Sequence, residues 1–335
     1  MNQNPQTQQL LVQIHQQHEA ICLSLANLAE QMNIHTTALI YFEKAVDYHP
    51  KSLEGLSGIA RIYRANSQLE KAIEWFTKKL TVDQSNGYLW IALGHAYLMS
   101  EDLQKAYSAY QQALYHLPSI KEPRLWYGIG ILYDRFGSLD HAEEAFVAAL
   151  NMDPNFIKSN EIHFRLGIIY KQQGKFQQSL EQLTKILNHP PKPLTTLDIW
   201  FQIGHCCECE KEFNMAKESY EHVLLYQPKN AKVLQQLAWL YHSQFNELDK
   251  AVAILNKAIE IDKEDPHAWY LLGRCYMAKR DYTKAYEAYQ YAVYKDSKNP
   301  TVWCSIGVLY YTKQQVIYSN VVQRCPRFVY KSINY

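Results

Sequence analysis

Leu125–Phe146 reads LWYGIGILYDRFGSLDHAEEAF, and it decides the fold because the chain repeats it. In a unit starting at Pro123, Trp126, Gly130 and Tyr133 stand at positions 4, 8 and 11, with Ala142 and Phe146 at 20 and 24. Working outward, the glycine recurs as Gly94, Gly167, Gly204, Gly273 and Gly307. Four residues before these stand Trp90, His163, Trp200, Trp269 and Trp303; three after stand Tyr97, Tyr170, Cys207, Tyr276 and Tyr310. Ala106, Ser179, Ala216 and Ala285 then supply a small residue, and Tyr110, Leu183, Tyr220 and Tyr289 a bulky one. Pro118, Pro154, Pro191 and Pro228 close four of the units, and Ala26, Ala60 and Ala238 hold the glycine position in three others. Starts fall near 19, 53, 87, 123, 160, 197, 231, 266 and 300, at intervals of 34 to 37 residues.

That spacing is the W-x₂-L-G-x₂-Y…A-x₃-F…P pattern of the tetratricopeptide repeat. Each unit is expected to be two antiparallel helices, A and B, with the small residue at position 8 letting them approach closely. The Trp, Leu and Tyr of helix A are expected to fill the seam with the Ala and Phe or Tyr of helix B. Proline ends helix B because it lacks an N–H and clashes with the preceding turn. One unit cannot bury its apolar face alone, so neighbours stack. The fold class is therefore all-α, a tetratricopeptide-repeat solenoid. The repeat family implies a right-handed superhelix with helix A lining its concave surface.

Eight full repeats are expected over 19–299, and helix A of a ninth over 300–311. Residues 1–18 contain seven Gln and are expected to be disordered, with Leu10, Leu11 and Ile14 as the start of a short capping helix the other reading. Residues 189–196, HPPKPLTT, read as a stiff inter-repeat loop rather than a domain boundary, because the register resumes at Trp200. From 312 to 335 the repeat stops: Ser319 and Pro326 stand where alanines belong, as in a truncated or aberrant tail.

Composition agrees. Of 335 residues, 47% are hydrophobic and 20% charged, enough for a large core. Twelve Gly, twelve Pro and 26 Tyr favour helices over a Gly/Pro-punctuated β protein. The net charge of +1, from 34 Lys+Arg against 33 Asp+Glu, gives no global field to attract nucleic acid or anionic membrane. No apolar run reaches the roughly 18 residues of a membrane span, and the N-terminus lacks the pattern of a secretory signal. Seven irregularly spaced cysteines point to a reducing compartment rather than a disulfide framework.

No phosphate-binding glycine loop, H-E-x-x-H or G-x-S-x-G is present, and no catalytic residue or cofactor site is expected. Cys206 and Cys209 form a C-x-x-C beside His205, but Cys206 takes a core position of the repeat and Cys207 the tyrosine position. Consecutive residues on a helix diverge by about 100°, so they cannot surround one metal, and no metal site is expected.

Several blocks resemble one family: Leu125–Phe146, Asn160–Leu180, Ala216–Tyr241 and Val302–Tyr311 are similar to the tetratricopeptide subunit of the fungal general transcriptional corepressor, which mediates glucose repression with a WD-repeat corepressor. The likeness runs across roughly residues 19–311. It implies a non-catalytic nuclear scaffold bridging DNA-bound, sequence-specific repressors to a WD-repeat corepressor, with histone-modifying complexes as further partners. It implies no direct contact with nucleic acid or membrane. Two alternatives stay open: an adaptor subunit of another assembly such as a ubiquitin ligase, or the detached repeat region of a chromatin-modifying or glycosyl-transferring enzyme.

In repeat families the concave positions are 2, 5, 6, 9 and 12. Carboxylate clamps for chaperone tails use Lys at 5 and Asn at 9; here only Asn27 matches, beside Leu23. By resemblance, Leu23, Asn27, Ser57, Arg61, Arg64, Ile91 and His95 are expected to meet the corepressor. Tyr127, Ile131, Phe164, Ile168, Phe201, His205, Trp239, Tyr270 and Arg274 are expected to line a peptide groove. Its aromatic stripe suits the apolar face of a partner helix, and equally suits packing between adjacent A helices.

Overall fold

The computed structural model describes residues 5–50, 52–66 and 68–324. Among them are seventeen α-helices and no strand. The A helices are α1 (Pro5–Gln31), α3 (Leu53–Ala65), α5 (Gly87–Met99), α7 (Pro123–Arg135), α9 (Ser159–Gln172), α11 (Thr196–Glu210), α13 (Ala231–Ser243) and α15 (Pro266–Ala278). Each is followed by its B helix: α2 (His35–Tyr48), α4 (Leu69–Val82), α6 (Leu103–His116), α8 (Leu139–Met152), α10 (Phe176–Lys185), α12 (Phe213–Tyr226), α14 (Leu248–Ile261) and α16 (Tyr282–Lys295). α17 (Pro300–Arg324) follows. The helices form two compact units, one up to Ile169 and one from Tyr170. No described helix is long and apolar enough to cross a membrane.

Residue choice explains the helix ends. Asn86, Asp102, Asn230, Asp265 and Asp281 each accept a backbone N–H of the first turn, satisfying donors that a helix start leaves orphaned. Thr195 and Asp198 make a reciprocal capping box that starts α11 directly after the proline-rich loop. The turn from A to B needs one left-handed residue. Gly137 and Gly174 supply it without strain, whereas Glu101, Lys211 and Arg280 adopt it at φ 62°, 72° and 62°. A β-carbon is crowded there. Lys211→Gly is therefore expected to stabilise the second unit by about 0.5–1 kcal/mol. Chemical denaturation checks it; an unchanged or lower midpoint would remove the strain argument.

The position-8 glycines do what their spacing predicts. A β-carbon on Gly130 would lie 2.6 Å from the Phe146 ring, and one on Gly94 2.6 Å from the Tyr110 ring. Gly204 meets Tyr220 and Gly273 meets Tyr289 in the same way, at 2.7 and 2.4 Å. The bulky residue of helix B is thus pressed on helix A of its own repeat. Tyr110 also lies under Gly128 of the next repeat, so one ring pins two repeats.

The tryptophans pack on the seam and also tie down loops. Trp90, Trp126 and Trp269 pack half-buried against the core clusters, whereas Trp303 is exposed. Each donates its indole N–H to a carbonyl six residues earlier, at Gln84, Ile120, Lys263 and Ser297, with distances of 2.9 to 3.1 Å. They tie the inter-repeat loop to the following helix. The polar edge of an indole seeks a partner, which keeps it at the rim of the core.

Both ends depart from expectation. The Gln-rich segment is helical from Pro5 rather than disordered, continuous with the first A helix. Proline suits the first helical turn and glutamine is a good helix former. The His15 and His18 rings lie 5.8 and 5.1 Å from Tyr48, and Glu19 pairs with His49 at 2.9 Å, which anchors the extension. At the other end α17 runs past Tyr311 to Arg324 without the A-to-B turn. Gln315 stands where Asp102 and Asp281 cap their B helices, and glutamine offers no comparable cap. Residues 325–335 lie outside the described residues.

Candidate functional site

In the first unit the expected contact residues lie on α1, α3, α5, α7 and α9. Leu23 is half-buried against the Phe42 and Phe76 cluster. Asn27 Nδ2 donates to Glu54 Oε1 at 3.0 Å, and the Ser57 hydroxyl donates to the Glu54 backbone carbonyl at 3.0 Å. Arg61 makes a bidentate pair with Glu30 at 2.6 and 2.5 Å, its guanidinium 5.8 Å from the centre of the Phe42 ring. This half-buried fork joins consecutive A helices and holds better than a solvated surface pair. The Arg64 side chain lies outside the described residues.

Ile91 is a correction: it has no exposed surface and packs with Tyr110, Leu125 and Leu132. α3, α5 and α7 approach closely enough to cover it, so a partner cannot touch it. His95 is half-buried and tied to the Tyr110 hydroxyl at 2.7 Å through Nδ1. Burial, with the Arg124 charge adding to it, pushes its pKa down to about 4, so it is neutral near pH 7.

Tyr127, Ile131, Phe164 and Ile168 are each half-buried. The Tyr127 ring sits 5.9 Å from Phe156, and its hydroxyl hydrogen-bonds Glu161. Arg165 joins Asp134 at 3.0 Å and Glu161 at 3.2 Å, so the apolar stripe has a charged flank. Burial opposes ionisation of Glu161, but Tyr127, Lys158 and Arg165 together hold its carboxyl below the usual range.

In the second unit Phe201, His205, Trp239, Tyr270 and Arg274 are also half-buried. Phe201 lies 5.9 Å from Tyr220 and Tyr270 lies 6.1 Å from Tyr289. The Arg274 guanidinium stacks 4.6 Å from the Trp239 ring, which also stacks with His242 at 5.4 Å. A cation over an indole face is electrostatically favoured. His205 Nδ1 is 3.6 Å from Cys209 Sγ. Burial pushes the His205 pKa down, helped by Lys171.

Among the described residues no group of three His, Cys, Asp or Glu side chains is disposed to hold a metal ion. Cys206 is buried and its thiol donates to the Phe176 carbonyl, while burial lifts Cys207 to about 11. Both thiols are held protonated and inert.

Sequence reasoning missed Arg124 and the Tyr110 partner of His95. Arg124 occupies position 2 of its repeat, one of the positions that families of this fold present on the A-helix face, so its signal was available. The His95–Tyr110 bond joins residues fifteen apart on two helices, which no spacing rule specifies.

Models described as tetratricopeptide repeat match residues 23–81, 123–156 and 210–304, more than half of the chain. General transcriptional corepressor trfA of Dictyostelium discoideum is 61% identical over 286 residues, 85% of this chain and 21% of its own length. General transcriptional corepressor ssn6 of Schizosaccharomyces pombe is 63% identical over 287 residues, 85% of this chain and 26% of its own. The chain thus spans about a fifth to a quarter of the length of these curated relatives. Among solved structures, the C-terminal part of a TPR repeat-containing protein from Cytophaga hutchinsonii superposes with a TM-score of 0.56 at 19% identity, covering 72% of this chain and 96% of that one. At that identity the likeness shows the fold alone.

Proposed function

The chain belongs to the tetratricopeptide repeat family, and from that premise we propose that it is a non-catalytic nuclear scaffold that bridges DNA-bound repressors to a WD-repeat corepressor. One observation carries this reading. The chain is 61–63% identical to general transcriptional corepressors across 85% of its length. Half-buried aromatic residues on the A-helix faces supply the chemistry. They keep part of their surface for a partner while remaining held in place, as interface anchors are.

Division of labour along the array follows from residue type. Leu23, Asn27, Ser57, Arg61 and His95 present a mixed polar face and are assigned to the corepressor. Arg64 belongs to the same set by sequence. Tyr127, Ile131, Phe164 and Ile168, and separately Phe201, His205, Trp239, Tyr270 and Arg274, are assigned to repressor peptides. Phe164→Ala or Phe201→Ala is expected to weaken a repressor peptide roughly tenfold or more, since truncating a central aromatic anchor typically costs about 2 kcal/mol. The corepressor complex should be unaffected. Titrations of both partners on variants whose melting is unchanged test this. Equal loss of both partners would sink the division, and a lower melting temperature with intact binding would make the phenylalanines core. The scaffold itself is tested by affinity capture from nuclear extract, where recovery of neither a WD-repeat corepressor nor DNA-binding repressors would overturn it.

A further inference from the structure

A cavity of about 50 Å³ opens in the first unit where α3, α5 and the first turn of α7 meet. Leu56 and Ser57 come from α3, Ile91, His95 and Met99 from α5, and Arg124 from α7. Its floor is apolar: Leu56 and Ile91 have no exposed surface. Its polar groups are all donors or neutral. On this measure a water needs about 10–15 Å³, so the space holds roughly four such groups, the size of a carboxylate with its carbon stem.

The charge here is one-sided. The unit has two other half-buried arginines with described side chains, and each is answered by acid: Arg61 by Glu30, and Arg165 by Asp134 and Glu161. Among the described residues the Arg124 guanidinium meets no carboxylate. The acid nearest in sequence, Glu122, is turned to its own helix start, accepting from the Arg124 backbone N–H at 3.3 Å. The neighbouring His95 ring is held by the Tyr110 hydroxyl, 2.7 Å from Nδ1, and adds no negative charge. A half-buried guanidinium without a counter-charge at the mouth of an apolar slot is complementary to an acid on a short aliphatic stem.

Resting on the scaffold reading, we infer that this cavity receives a carboxylate from a linear peptide segment of a partner protein. Arg124 grips the anion. The carbon stem lies against Met99. The carboxylate belongs either to an Asp or Glu side chain or to a chain end, and the chemistry is shared.

Three tetrapeptide probes separate the sources: blocked Ala-Glu-Val-Ala, its blocked Gln counterpart, and the Gln peptide with a free C-terminus. Binding is read from the ¹³C-methyl signal of Met99 in the full chain. At least one acidic probe is expected to shift that signal saturably, with at least tenfold higher affinity than the blocked Gln peptide. Whichever acid does so names the source. Arg124→Gln, with an unchanged circular dichroism spectrum, should abolish the preference. No saturable shift with either acid, or a preference that survives Arg124→Gln, overturns the inference. Capture from nuclear extract by wild type and Arg124→Gln keeps the two readings apart. If wild type recovers neither corepressor nor repressors, the scaffold reading fails whatever the peptides do. If both proteins recover them equally and no probe discriminates, the cavity proposal fails and the scaffold stands.

Discussion

Phe146→Ala is expected to cost about 3–5 kcal/mol of stability, the range for emptying a fully buried aromatic site. Phe146 has no exposed surface, and its ring is pressed on Gly130 and lies 6.4 Å from the Tyr127 ring. The close approach of α7 and α8 holds the void open. Urea denaturation followed by helical circular dichroism measures the loss. A second substitution sharpens the test. Gly130→Ala alone places a methyl 2.6 Å from the ring and should cost about 1–3 kcal/mol through overpacking. In the Phe146→Ala background the same methyl enters the vacated space, so the double variant should be more stable than additivity predicts. A simple sum would refute close approach as the reason for glycine at this position.

The second expectation concerns acid. His95 titrates near 4 in the fold and near the ordinary 6.5 when unfolded. Its folded pKa is depressed, so between those values the unfolded chain binds more protons than the folded one. Stability is therefore intact above about pH 6.5 and lost progressively as pH falls toward 4, by about 3 kcal/mol in total. His95→Gln removes the titration. Denaturation midpoints for the two proteins should separate in their pH dependence over this window. His205 and His242, whose pKa values are also lowered, act equally in both proteins and cancel. Curves that stay parallel from pH 7 to 4 would show that burial of His95 is not what holds its proton off.

Both expectations start from residues the repeat pattern had marked, but for different reasons. Gly130 and Phe146 were legible as a pair because a sixteen-residue spacing is part of the repeat and every repeat solves the same packing problem. His95 was legible only as a position. Its neutrality comes from burial and from Arg124 on the next repeat, and both depend on how closely the helices approach. Ile91 shows the same limit from the other side. Position 5 placed it among contact residues, yet α3, α5 and α7 close over it. The tryptophans were legible as seam residues, but not the carbonyls six residues earlier that accept their N–H groups.

The sequence alone determined the helix pairs, their order, their starting points and the small-against-bulky contact inside each repeat. Those follow from local propensity and from a period that repeats across the chain. Only the tertiary structure decided which face residues keep accessible surface and which arginines are paired with acids. Burial and charge compensation depend on distances between side chains some thirty residues apart, as in Glu30 with Arg61 or Asp134 with Arg165. No periodicity encodes those distances; they are set when one repeat settles against the next.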